Sequence, residues 1–255
     1  DVVGKKALPD SDAVCVIKAP VRASFDIIAK GKSNILVENM HSDDCHLKTN
    51  SGKVIIKNIR GKSIKIRSKE GTVWCAGTIL ADDVDIRTDA SVTCSHIRSN
   101  NLKVVTEGGD ISTESCYSDV SHFITMLGSL RLGSVHRNCS VEVLERGDLT
   151  MTGFDGTLKA ILKRGNIHLQ AVKLYEKNSV FVHDVGTVDV SISDIFNDMH
   201  LVELIARKLN IEEQILKKGQ MLSDSQHQKF RYEDDQSHSH NDLYVECRNG
   251  NIDVK

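Results

Sequence analysis

Four groups of residues in this sequence have side chains suited to chemistry or recognition, and each acquires a geometry only through a repeat. Asp110 and Asp148 occupy equivalent positions two repeats apart, with Ser129 at the same position between them. Stacked strands would set the two about 10 Å apart. That is close to the separation at which one carboxylic acid protonates a glycosidic oxygen while a second carboxylate activates water. Solvation of turns and strand edges explains the same pair without catalysis. Cys75 and Cys94 fall one repeat apart, which places their Cα atoms about 5 Å from each other, within reach of a disulfide. Neither has a CxxC partner or a neighbouring cation in sequence to lower its pKa. They read first as two buried thiols filling small core positions.

His227, Glu233, Asp234, Asp235, His238, His240 and Asp242 gather nitrogen and oxygen donors of the kind that hold divalent metals. Their spacing puts them on a loop whose freedom would be lost on binding, and no D-x-[DN]-x-[DN]-G calcium loop occurs. No metal and no cofactor is expected. The fourth group is a surface: Ile55, Trp74, which is the sole tryptophan, and Arg131 share one outward column and form the expected interaction surface. The G-x-x-x-x-G-K-[ST], G-x-G-x-x-G, H-E-x-x-H and G-x-S-x-G patterns do not occur, so phosphate-binding catalysis has no visible seat.

Composition bounds the scaffold that must position these groups. With 255 residues, 40% hydrophobic and 4% aromatic, the chain can fill one large domain or two small ones around a core not built on aromatic rings. The 33 basic and 35 acidic side chains leave a net charge of −2, and nothing in that balance calls for nucleic acid or an anionic membrane. Seven cysteines, an odd number without framework spacing, favour a reducing, intracellular compartment. No apolar run approaches the ~20 residues that span a bilayer, so a soluble chain is expected. The numbering opens at Asp1 rather than Met, which leaves room for a targeting segment ahead of it.

A fixed period organises everything else. One apolar column runs through Val54, Val73, Val92, Ile111, Leu130, Leu149, Ile167, Val188 and Ile252. Two residues before it lies a glycine column, Gly52 to Gly250 with Ala90 as its one non-glycine member, expected to supply positive φ at a turn. Two residues after it lies a second inward column, Ile56, Cys75, Cys94, Thr113, Leu132, Met151, Leu169, Val190 and Val254. A third contains Ile59, Ile79, Ile97, Cys116, Val135, Phe154 and Val172. Pairs such as Ile64 and Ile66, Val84 and Ile86, or Leu102 and Val104 precede each turn. About three short strands per 19 residues, with no helical period, close a core only by stacking in parallel. The sequence therefore predicts an all-β protein, a parallel β-solenoid (β-helix) of nine to ten coils.

The ends depart from the period. Residues 1–44 are expected to form an N-terminal cap, with short strands at 13–17 and 25–28 and Pro20 between them. Coils occupy 45–193, an insertion fills 194–242, and 243–255 return as a final coil. The insertion carries ten acidic and six basic residues, a charge of −4 against +2 for the remainder. Its first part, 195–216, fits a helix or two short strands equally well. Residues 223–242 lack periodicity and read as a mobile loop.

The units Ser51-Gly52-Lys53-Val54-Ile55-Ile56, Gly108-Gly109-Asp110-Ile111-Ser112-Thr113 and Gly250-Asn251-Ile252-Asp253-Val254 resemble those of the adhesin-like β-solenoids of unknown function, a family of bacteria and eukaryotes. The resemblance covers roughly 45–190 and 243–255, and the stretch Glu114 to Val143 is similar to its eukaryotic members. It implies a non-enzymatic protein located in mitochondria, with the cytoplasm as the alternative, and supplies no catalytic residues. The expected function is a scaffold that binds a protein partner. A carbohydrate-binding or carbohydrate-cleaving solenoid using Asp110 and Asp148 is the alternative.

Overall fold

The computed structural model describes residues 22–192, 199–234 and 239–255. The strands are β1 (Phe25–Ala29), β2 (Ile35–Glu38), β3 (His41–Thr49), β4 (Val54–Ser68), β5 (Val73–Thr88), β6 (Val92–Thr106), β7 (Ile111–Thr125), β8 (Leu130–Gly133), β9 (Val135–Val143), β10 (Leu149–Leu162), β11 (Ile167–Leu174), β12 (Lys177–Val182), β13 (Thr187–Ile192), β14 (Leu201–Ile211), β15 (Gln220–Ser223), β16 (Gln228–Glu233) and β17 (Asp242–Val254). One short helix, α1 (Glu213–Leu216), lies between β14 and β15. The molecule is a β-solenoid of about nine turns at roughly 19-residue spacing.

Parallel pairing carries the first apolar column from coil to coil. Val54 lies opposite Val73, Val73 opposite Val92, Val92 opposite Ile111 and Ile111 opposite Leu130, and the column continues to Ile252. Each coil has three walls, seen in β4 as 54–57, 59–61 and 63–68. Inward parity changes at Asn58, which has φ 52°, and again at Lys62. Val54, Ile56, Ile59, Ile64 and Ile66 are all buried, at about 1.5–3 kcal/mol for each large side chain removed from water. A sixth inward column begins with hydroxyls, Thr49, Ser68, Thr88, Thr106 and Thr125, buried beside the turns, and continues as Val143, Leu162 and Val182. There Ser68 Oγ accepts the Gly71 N–H at 2.9 Å, and the Thr106 hydroxyl donates to the Gly109 carbonyl at 2.7 Å.

Two expectations about the columns are corrected. Positive φ is not what the glycine column supplies, since only Gly165 in it has one, at 137°. The glycines are needed because successive turns nearly touch: a methyl at Gly128 would lie 2.0 Å from the Gly109 carbonyl oxygen, and one at Gly147 2.0 Å from that of Gly128. Val172 is not inward but 58% exposed, and Ala171 takes its place opposite Phe154. The preceding coil makes its first corner with an extra residue, Gly153 at φ 66°. The β11 coil lacks that residue, so alternation continues through Ile167, Leu169 and Ala171 and turns Val172 outward.

The ends also differ from expectation. Residues 13–17 and Pro20 lie outside the described residues, while β1 forms at 25–29 and pairs in parallel with β3. The last strand in sequence is not last in space. β17 stacks in parallel against β12 and β13 on one side and against β14 on the other. The insertion thus provides the outermost coil rather than a loop. From 195–216 the structure describes strand at 201–211 and a helix of one turn at 213–216. Within the expected loop, β16 runs antiparallel to β14, with Leu204 opposite Phe230, and β15 flanks it. An antiparallel cover occupies backbone groups that the outermost parallel strand would leave unpaired. The buried Phe230 and Ile215 close the core at that end.

Candidate functional site

The outward side of the first wall carries two columns. In the one nearest the turn, a side-chain oxygen accepts the backbone N–H of the same position in the next coil. Asn34 Oδ1 takes Lys53 N–H at 2.7 Å, Ser91 Oγ takes Asp110 N–H at 3.2 Å, and Asp110 Oδ1 takes Ser129 N–H at 2.8 Å. Ser129 Oγ takes Asp148 N–H at 3.2 Å, Asp148 Oδ1 takes Asn166 N–H at 2.7 Å, and Asn166 Oδ1 takes Thr187 N–H at 3.1 Å. Asp110 and Asp148 are therefore rungs of a ladder that satisfies backbone donors at the turn. The structure keeps them two coils apart, each with Oδ1 engaged by the backbone of the next coil.

The other column holds the expected interaction surface. Ile55 lies opposite Trp74, and Leu36, which the sequence reading passed over, lies opposite Ile55. Leu36 is 60% and Trp74 41% exposed, with Ile55 half-buried between them. Lys53 Nζ sits 5.1 Å from the Trp74 ring centroid, a cation–π contact that orients the indole. Arg131 does not join this patch. It follows Trp74 by three coils, through Thr93 and Ser112, about 14 Å along the stack, and its Nη1 lies 3.9 Å from Asp110 Oδ2. Leu36 was findable from its position one period before Ile55.

Cys75 and Cys94 are register partners, buried and free. The hydrogen bond with Cys75, and then burial, push the Cys94 thiol well above its ordinary value. Burial raises Cys45, Cys116 and Cys247 to about 11 and Cys139 to about 12. These thiols stay protonated at neutral pH and are poor nucleophiles. Cys15 lies outside the described residues, as do Asp235 and His238 of the candidate metal loop. Asp242 is engaged elsewhere, 3.2 Å from His200 Nδ1, and Glu233 pairs with Arg231 at 2.6 Å. Among the described residues no cluster of three or more His, Cys, Asp or Glu side chains could hold a metal ion.

A groove of about 830 Å³ crosses the second wall, lined among others by His41, Arg60, Leu80, Arg98 and Tyr117. Arg60, Leu80, Arg98 and Tyr117 are successive register partners on β4 to β7. The sequence reading missed them, although each follows directly a member of the third inward column.

Residues 15–115, less than half of the chain, match the family model described as Toastrack DUF4097. The likeness is to an uncharacterised β-solenoid family, and the matched stretch ends within β7. No solved structure matches the chain.

Proposed function

We propose that this chain is a non-enzymatic scaffold that docks a protein partner on the first wall through Leu36, Ile55 and Trp74. The observation that carries the reading is the ladder: Asp110 and Asp148 each spend a carboxylate oxygen on a neighbouring backbone N–H. A stacked solenoid holds its outward side chains at fixed intervals, which suits recognition of an extended surface at little ordering cost. The three apolar residues lie side by side at the N-terminal part of the stack, exposed enough to be covered by a partner.

The stretch Glu114 to Val143 resembles the eukaryotic protein named "family with sequence similarity 185 member A". On that resemblance we assign the chain a mitochondrial location, with cytoplasm as the alternative. The six free, buried cysteines among the described residues support a reducing compartment. The test pairs affinity capture with a glycan panel. Partners recovered with the wild type should be lost with Trp74→Ala and Leu36→Ser and kept with Asp148→Asn. Hydrolysis or lyase activity abolished by Asp110→Asn or Asp148→Asn would overturn the reading in favour of a carbohydrate-active protein.

A further inference from the structure

The second wall carries a cationic groove that the scaffold reading does not use. Arg60 and Arg98 are exposed and register with Leu80 between them. Among the described residues neither guanidinium has a carboxylate within 4 Å, whereas the nearby Arg137 is bound to Asp119. Leu80 is 36% exposed, and Tyr117, which follows Arg98 in the column, is 53% exposed. Tyr117 stacks on His136 with ring centroids 3.9 Å apart and planes at 14°. That stacking fixes the aromatic end of the groove. Asp82 and Asn100, two residues after Leu80 and Arg98 on the same strands, also line the groove.

From these features we propose that the groove binds an acidic protein segment in the polyproline II conformation, with carboxylates three residues apart. The match is one of period. Arg60 and Arg98 are two coils, about 10 Å, apart along the stack. Residues i and i+3 of a polyproline II chain point the same way at about 9.3 Å. In an extended strand, side chains on one face recur at about 6.7 Å and fall out of step with the arginines. An α-helix of 10–12 Å diameter overfills a wall only three residues wide. Arg60 and Arg98 would each clasp one carboxylate, Leu80 would meet the intervening residues, and Tyr117 would flank the chain as aromatic rings do in other polyproline grooves. A polyproline II backbone has no internal hydrogen bonds, so its N–H groups are free to donate to Asp82 and Asn100 beside the arginine column.

The probe is a labelled (Glu-Pro-Pro)4 peptide titrated into the full chain at low ionic strength. Saturable, salt-sensitive binding is expected, weakened about tenfold by Arg60→Gln or Arg98→Gln and lost in the double variant, with Arg131→Gln on the first wall unchanged. All three substituted residues lie at the surface, so equal melting temperatures establish that each variant folds. A (Glu-Pro-Pro-Pro)3 peptide, which keeps the charge type but breaks the three-residue period, should bind several-fold more weakly. No binding, equal binding by (Gln-Pro-Pro)4, or equal binding by the four-residue period would overturn the proposal. Tighter binding of polygalacturonate, competing with the peptide, would overturn it in favour of an acidic glycan. Because Trp74→Ala leaves this groove intact, failure of the first-wall reading and failure of this one are separately visible.

Discussion

Asp148 holds the backbone N–H of Asn166 through Oδ1 at 2.7 Å, and the same oxygen receives the Asn166 side-chain amide at 3.2 Å. Asparagine keeps an acceptor at that position, whereas leucine keeps only the volume. Asp148→Asn is expected to unfold at nearly the wild-type urea concentration, and Asp148→Leu to lose about 1–2 kcal/mol. Equal loss in both would mean that charge, not the rung, is what the position requires.

Gly108 and Gly109 are neighbours with opposite surroundings. A methyl at Gly108 would come no closer than 3.8 Å to Asp89, while one at Gly109 would lie 2.1 Å from the Ala90 carbonyl carbon and 2.3 Å from Ser91 N. Backbone cannot yield there without separating two coils. Gly109→Ala should cost about 1–3 kcal/mol or more, and Gly108→Ala should stay within about 0.5 kcal/mol of wild type. Thermal melts of the two single variants settle it.

Val92 is fully buried in the middle of the first inward column. Val92→Asp would place an unpaired carboxylate among aliphatic rungs above and below, at a cost of several kcal/mol. The variant should fail to melt cooperatively, and a cooperative transition near the wild-type temperature would contradict the stacking register.

The buried thiols predict an alkaline limit. Cys45, Cys116 and Cys247 are raised from 9.0 to about 11, and Cys139 to about 12, by burial. Between these limits the unfolded chain has released protons that the native state retains. Stability is therefore fully present below pH 9 and falls as pH rises toward 11, by at most about 1.4 kcal/mol per pH unit for a fully buried thiol and less for Cys247. The melting temperature should drop steeply above pH 9, and Cys139→Val should soften that drop. In native protein at pH 7.5 these thiols should react slowly with a disulfide reagent and rapidly after denaturation.

What the sequence made legible was whatever repeats. The inward columns follow from a period of 19 and alternation within it, so Val54, Ile56, Ile59 and their successors are buried as expected. Val172 failed because a single missing corner residue shifts parity, and no column spacing of 18 distinguishes a shorter turn from a lost bulge. The glycine column was visible while its reason was not: the clash at Gly128 belongs to the distance between coils. The C-terminal end was the least legible part. β17 enters between β13 and β14, and β16 pairs antiparallel with β14, both non-local choices that no local pattern encodes. Of the first-wall site, Ile55 and Trp74 were readable by phase, whereas Arg131 shares their column without sharing their neighbourhood. The second-wall groove was readable by the same phase argument from Ile59, Ile79 and Ile97 to Arg60, Leu80 and Arg98.

Docking of a partner on the first wall at Leu36, Ile55 and Trp74 is open to site-specific photo-cross-linking. A photoreactive residue is placed at Ile55 and, as a control on the same outward column, at Thr150, with the full-length protein in its own compartment. Position 55 should give a discrete protein adduct that disappears when Trp74 is changed to Ala, and position 150 should give none of that species. Identical adducts from both positions, or an adduct at 55 indifferent to Trp74, would contradict it.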